Sequence, residues 1–561
     1  MRFTRIVSTL TAIGLGLLFA AALWLRVTSL GAIPWHNGDE SYEGTELVHM
    51  LRGEPFTVFS QSGNLLSPFY LGLQAPFQLF GEPAVWKLRV AAMISGILAV
   101  LAAYLLGRKA LGRSPALLAA GLLAPLPAAV FLGRLGHEYS QFPLFAIIAL
   151  TFALRGRLVG VAVTLLAALI AHPVNLLLCP VTGFVLAVQL ARRYWGDARA
   201  RRWMIVGTVI SAVLGLAFAY LVSRRPIVQH TLQQRGPLDW GVFASGLARF
   251  FLWDYYTNDA RLALHRNLFW AVVASVTAIG LPRLVRHRRW DQVALVAGFL
   301  GTLLIFHAVA GSSKLSGEGT SRYGVLLIAP GVLAFACLLR SAVFAGAAEQ
   351  DDLAPAEVSP SLRPALGRGV VVVMGTAMLS GLVANWFHVY TGSGRESLWT
   401  LKADTPEPYD VAFRIICRDY LDRGEALRGP CRILGEDFWS AEPLEYYAST
   451  HPIVRVERLD SHCFNTWMKM DPHNLDDYKR LFLETSTDRL RRGGYFVAHT
   501  PDGFALAERL KSAFPADSIQ TWDVLHPGGA VLIKVCRLGP PAPERGAIAA
   551  GKSLRPGTVV R

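Results

Sequence analysis

The residues best equipped for chemistry stand together near the start of the chain, in Trp35-His36-Asn37-Gly38-Asp39-Glu40-Ser41-Tyr42-Glu43-Gly44. Adjacent carboxylates at Asp39 and Glu40, with a third at Glu43, can accept protons, hold a cation or favour the positive end of a helix. Gly38 permits a turn, and Asp39 is placed to cap a short helix running to about Leu51. On that helix Asp39 and Glu43 are i and i+4 and share a face, whereas Glu40 points elsewhere. A solvated acid-rich helix start and a reactive carboxylate both fit this stretch taken alone, so the elements around it have to decide.

Those elements are apolar. Of 561 residues 53% are hydrophobic and 17% charged, with a mean hydropathy of +0.37, too apolar for a soluble protein of this length. The run from Ile6 to Leu25 follows Arg2 and Arg5. It matches the ~20 residues a spanning helix needs and exceeds a signal-peptide core, which reads as an uncleaved anchor. Further apolar runs lie at 86–107, 115–133, 140–154, 158–172, 174–191, 203–222, 267–285, 292–311, 324–343 and 369–387. The expectation is a polytopic α-helical membrane protein with about eleven transmembrane helices.

The net charge of +15 does not require nucleic acid as a partner. Much of it sits in short turns at Arg108-Lys109, Arg113, Arg155, Arg157, Arg192-Arg193, Arg201-Arg202 and Arg283 to Arg289. By the positive-inside rule these turns are cytoplasmic. With an inside N-terminus and an odd number of spans, Asp39 and Glu40 face outward, and so does the C-terminal part. The outer loops then lie at 28–85, 134–139, near His172, at 223–266 and at 312–323. In the first of them Pro68 to Gly81 is apolar but proline-broken, as suits a helix lying on the membrane surface. The loop at 223–266 carries Trp240 and Trp253-Asp254-Tyr255-Tyr256, either an interfacial aromatic belt or a lid.

Three parts are expected: a spanning domain at 1–387 that includes the first outer loop, an extracytoplasmic α/β domain at 388–538, and a disordered tail at 539–561. In the second part, helical patterns near 408–424, 475–492 and 502–513 alternate with short apolar runs near 431, 452, 495 and 530. It has no GxGxxG or Walker loop, so nucleotide binding has no support. Residues 344–368 read as a cytoplasmic linker. Cys417, Cys431, Cys463 and Cys536 could form one or two disulfides in an oxidising space, and their spacing does not suit zinc.

This organisation resembles the GT-C superfamily of membrane glycosyltransferases, and within it the protein O-mannosyltransferases and lipid A aminoarabinose transferases. The resemblance is carried by Gly38-Asp39-Glu40-Ser41-Tyr42, by Leu79-Phe80-Gly81-Glu82-Pro83 leading into Lys87-Leu88-Arg89, by Arg134-Leu135-Gly136-His137-Glu138 and by Ser321-Arg322-Tyr323. The basic residue that precedes Pro-Pro in those relatives has no counterpart in Asn64-Leu65-Leu66-Ser67-Pro68-Phe69. What the resemblance implies is inverting sugar transfer from a polyprenyl-phosphate donor to a protein, lipid or glycan acceptor at the outer face of the cytoplasmic membrane.

A departing phosphate needs no general acid, so one carboxylate suffices to take the acceptor's proton, an effect worth about 10²–10⁴-fold. Asp39 is the expected base, with Glu40 beside it as the second catalytic candidate and Glu43 able to raise its pKa by repulsion. Arg134, Lys314, Arg322 and Tyr323 are the expected donor-phosphate ligands, with Arg224 and Arg225 weaker candidates. Arg134 could equally pair with Glu138 four residues on, and Arg322 could anchor a helix end. His137 and Glu138 are expected to support the site or hold the acceptor. His137 and His172, with Asp39, Glu40 and Glu138, could also form a divalent-cation site, though no metal site is assigned. The alternatives are a lipid-linked-sugar transporter or a non-catalytic assembly protein of the cell envelope. Transport is disfavoured because the spans are nearly free of acidic groups.

Overall fold

The computed structural model describes residues 2–31, 36, 38–60, 65–199, 202, 239–252, 260–311, 324–344, 408–423, 431–436, 438–451, 454–456, 487, 490–491, 493–525, 529 and 531–539. The chain divides into two compact units. One comprises Met1–Thr28, Asn64–Tyr70 and Ala91–Arg395, the other Ser29–Gly63, Leu71–Val90 and Glu396–Arg561. Most of the segment between α1 and α4 therefore groups with the C-terminal segment.

The described chain is mostly helical. Helices α1 (Arg2–Val27), α2 (Gly38–Arg52), α3 (Pro68–Gln78) and α4 (Val85–Leu105) are followed by α5 (Arg113–Leu123), α6 (Pro127–Leu132), α7 (Phe142–Leu154), α8 (Leu158–Ala171) and α9 (Cys179–Tyr194). Then come α10 (Trp240–Leu252), α11 (Ala260–Arg286), α12 (Trp290–Ala310) and α13 (Val325–Phe344). Among the described residues five helical stretches are long and apolar enough to cross a membrane: Val85–Ala110, Pro173–Tyr194, Arg266–Arg286, Trp290–Ala308 and Val325–Val343. Five shorter apolar helices accompany them. The runs expected at 203–222 and 369–387 lie outside the described residues, as do the linker and nearly all of the tail.

Helix α13 is the axis of the membrane unit. Its residues Val325 to Ala329 are at most 1% exposed, and it packs against α5, α7, α11 and α12. Backbone approach is closest at Gly280 of α11, where a Cβ would lie 2.4 Å from the Leu338 carbonyl oxygen of α13. Only glycine admits that crossing, which is how spanning helices gain van der Waals contact without a hydrophobic drive.

The run expected at 115–133 is broken into α5 and α6. Pro127 has no N–H to give the Leu123 carbonyl, so the helix cannot continue. Arg26 of α1, 1% exposed, reaches into this break and donates to Ala124 O at 2.9 Å and Leu123 O at 3.4 Å. A second departure is α10, within what was expected to be an outer loop. Phe243, Leu247, Phe250 and Phe251 recur at helical spacing on its buried face.

The second unit contains a five-stranded sheet: β1 (Cys431–Gly435), β2 (Val454–Val456), β3 (Gly494–Ala498), β4 (Gln520–Leu525) and β5 (Val531–Leu538). The order is β2-β1-β3-β5-β4, parallel across the first three strands and antiparallel across the last two pairs. Helices α14 (Pro408–Asp422), α15 (Phe438–Ala448) and α16 (Pro501–Ser512) belong to it, and Tyr409, Phe413, Ile416, Leu444, Tyr495, Trp522 and Val535 build one of its cores. The small α/β domain is thus present, with α15 and β4 added to the expected elements. No disulfide joins Cys417, Cys431 and Cys536, and Cys463 lies outside the described residues. Burial pushes the Cys417 thiol up to about 12 and the Cys536 thiol up to about 11.

Candidate active site

Helix α2 begins at Gly38, so Asp39 lies in its first turn rather than at its cap. From Gly38 to Val48 every residue is buried except Asp39, which keeps intermediate exposure. The three other carboxylates of the helix have structural surroundings. Glu46 accepts from the Thr57 amide at 2.7 Å, and Glu43 is 4% exposed.

Glu40 is the clearest correction to the sequence reading. Both of its oxygens are engaged by Arg89, Oε1 by Nη2 at 2.6 Å and Oε2 by Nε at 3.0 Å, with both side chains fully buried. Arg89 Nη1 also donates to Leu30 O at 3.0 Å. A carboxylate gripped by both prongs of a guanidinium, away from solvent, does not take a proton from a substrate. Glu40 holds the helix start in place instead.

This pairing explains why Lys87-Leu88-Arg89 accompanies Gly38-Asp39-Glu40. The preceding segment is fixed in the same way: Lys87 Nζ donates to Phe80 O and Glu82 O, around Gly81 at φ +68°. The sequence alone assigns Arg89 no role. The signal was available, since a charge inside an otherwise apolar run demands a partner.

Before α2, His36 shares a 2.7 Å hydrogen bond between Nε2 and Ser41 Oγ. The rings of Tyr409, Tyr446 and Tyr447 stand edge-on to it, with centroids 5.9–6.4 Å away. Burial, and then the positive charge of Arg89, hold its pKa well below the usual histidine range, so it is neutral at neutral pH.

In the membrane unit, the turn after α6 carries the second acidic group. Arg134 is 1% exposed, and its Nη1 and Nη2 donate to Leu25 O and Thr28 O, each at 2.6 Å. Two guanidinium nitrogens are thus committed to carbonyls at the end of α1. That geometry gives Arg134 a framework role and argues against the expected phosphate contact.

Glu138 opens a 3-10 turn, Glu138–Gln141. His137 Nδ1 lies 2.8 Å from its Oε2, and His172 Nε2 lies 3.9 Å from its Oε1. The Tyr139 ring stacks on His137 at 4.2 Å and its hydroxyl lies 3.4 Å from His172 Nε2. His172 Nδ1 accepts from the Val174 amide at 3.0 Å, so the neutral ring carries its proton on Nε2 and is a donor there, not a metal ligand. His137 and Glu138 remain a suitable imidazole–carboxylate pair for a divalent cation. Lys314, Arg322, Tyr323, Arg224 and Arg225 lie outside the described residues.

The membrane unit also holds an apolar cavity of about 190 Å³, lined by Phe251, Phe269, Trp270, Phe299, Gly331 and Phe335 among others.

No protein-family model and no curated protein matches this sequence. Among solved structures, ArnT from Cupriavidus metallidurans in the apo state is similar with 17% identity and a TM-score of 0.48, over 94% of this chain and 98% of that one. The same protein bound to undecaprenyl phosphate gives 16% and 0.44, over 93% and 97%. The Archaeoglobus fulgidus oligosaccharyltransferase complexed with Zn and sulfate gives 14% and 0.46, over 92% and 72%. All these TM-scores lie below 0.5, and the functional reading rests on the residues of this chain.

Proposed function

We propose that this protein is an inverting glycosyltransferase that moves a sugar from a polyprenyl-phosphate donor to an acceptor at the outer face of the cytoplasmic membrane, with Asp39 as the base. The observation that carries the reading is that Asp39 keeps intermediate exposure in a helix whose three other carboxylates are buried. Asp39 takes the acceptor hydroxyl proton as the new C–O bond forms, while the glycosyl–phosphate bond breaks and the phosphate leaves as an anion. The leaving charge needs fixed cations beside it. Lys314 and Arg322 are the assigned groups, with the Tyr323 hydroxyl as a further donor.

Within the membrane unit His137 and Glu138 would be able to hold a divalent cation, His137 Nδ1 standing 2.8 Å from Glu138 Oε2. The apolar cavity suits a hydrocarbon chain, as a prenyl tail requires. The assignment of a multi-pass inner-membrane protein, with a cytoplasmic N-terminus and an outward C-terminal domain, follows from the arginine-rich turns.

The test is mass analysis of cell-envelope glycans from cells with and without the protein, complemented by wild type or Asp39→Asn. A sugar modification lost with the protein, restored by wild type and not by Asp39→Asn, is the expected result. Full restoration by Asp39→Asn excludes the mechanism, and unchanged glycans without the protein exclude the function.

A further inference from the structure

The second unit contains helix α2, the segment 71–90 and the sheet domain together, and the contacts between them are concentrated along α2. Helix α15 of the sheet domain packs along it. At Gly44, mid-helix, a Cβ would lie 2.2 Å from Leu88 Cδ2 and 3.1 Å from Tyr446 Cε2, so the helix is seated directly on these two side chains. Val48, Leu88 and Tyr446 form a buried cluster there.

Tyr446 is itself tied down. Its ring is fully buried, and its hydroxyl donates to Gln78 Oε1 at 3.0 Å while accepting from the Ala84 amide at 3.3 Å. The same ring, with Tyr409 and Tyr447, flanks His36 immediately before the helix. At the far end Arg52 Nη1 donates to Ser449 O at 2.6 Å, just beyond α15. Helix α2 is therefore gripped at its start, middle and end by residues of the C-terminal domain.

We propose that α15 is a brace that sets the position of Asp39, with Tyr446 as the positioning residue. The inference rests on the reading of Asp39 as the base and deepens it. It gives the C-terminal domain a part in the rate of transfer. Reacting groups misplaced by about 1 Å can lose about 10²-fold in rate, so a brace of this kind is felt in turnover before it is felt in binding.

The test uses the full chain in native membranes for rates and in lipid nanodiscs for hydrogen exchange. Tyr446→Ala is expected to speed amide exchange across Gly38–Arg52 about tenfold, while β3 and β5 keep wild-type protection. Formation of the envelope glycan should slow by about tenfold or more, and Tyr446→Phe, which keeps the ring, should restore both readouts to within about threefold. In an Asp39→Asn background, adding Tyr446→Ala should leave the residual rate nearly unchanged, because the group it positions is already gone.

Unchanged exchange in α2, or the same fractional loss of rate in both backgrounds, overturns the proposal. Should Tyr446→Ala also lose protection in β3 and β5, Arg52→Ala carries the test. It removes one exposed hydrogen bond and should speed exchange in the last turns of α2 by about fivefold, and unchanged exchange there counts against the brace. If Asp39→Asn retains the full rate, the base assignment fails, while the exchange data still decide whether α15 braces α2.

Discussion

Helix α2 and the turn around Glu138 both set carboxylates beside histidines, yet they treat them differently. Along α2 every residue between Gly38 and Val48 is buried except Asp39, which keeps intermediate exposure. In the turn, every residue from Pro127 to Pro143 is buried, including Arg134, His137 and Glu138. The first arrangement holds one acid accessible by fixing everything around it. The second packs its charged groups away from solvent, with guanidinium nitrogens on helix-end carbonyls and imidazoles on a carboxylate. Proton transfer to a substrate suits the first, and holding a cation or a helix end suits the second.

The contrast breaks most visibly at Glu40 and Arg89. Arg89→Met leaves a fully buried carboxylate without its guanidinium, and it should destabilise the folded protein by about 3–5 kcal/mol. Adding Glu40→Leu should recover most of that loss in thermal unfolding of the purified chain. A double variant no more stable than Arg89→Met would mean that the pair does something besides satisfy itself.

Arg134→Met probes the turn in the same way and with a smaller effect. Leu25 O and Thr28 O lose charged donors, at a cost of about 1.5–3 kcal/mol. If Arg134 is framework rather than phosphate ligand, the loss appears in stability, and the KM for donor among folded molecules stays at the wild-type value. A raised donor KM with full stability would return Arg134 to the phosphate.

A third effect is smaller and depends on pH. The folded protein holds His36 well below its ordinary value of about 6.5, whereas the unfolded chain protonates it normally. Below about pH 6.5 the unfolded state therefore binds a proton that the folded state refuses. Stability from this group should fall by about 1.4 kcal/mol per pH unit as pH drops, until the folded-state pKa is reached. Above that window the group contributes no slope. His36→Gln should flatten the acid limb of a stability profile, and an unaltered limb would show that another group governs it.

How far the sequence reaches can be judged from these same residues. Among the described residues hydrophobic run length located α4, α9, α11, α12 and α13, and Asp39-Glu40-Ser41 located the start of the acidic helix within a residue. Short apolar runs located β1, β2 and β3, whereas their parallel pairing came only from the structure. What stayed hidden depends on partners distant in sequence. Asp39 and Glu40 are both catalytic candidates in the sequence, and Arg89, 49 positions from Glu40, separates their roles. Helix α15 carries Pro443 and no clean apolar period, because it is buried against α2 as well as against the sheet domain. Arg134 had the right chemistry for phosphate, and its hydrogen bonds to carbonyls at the end of α1 redirect it.

The central claim is that one accessible carboxylate does the proton transfer. Its most direct test is the initial rate of envelope-glycan formation in isolated membranes carrying Asp39→Asn, at protein levels and hydrogen-exchange protection matched to wild type. The account predicts a rate lower by about 10²–10⁴-fold. A rate within about twofold of wild type would contradict it.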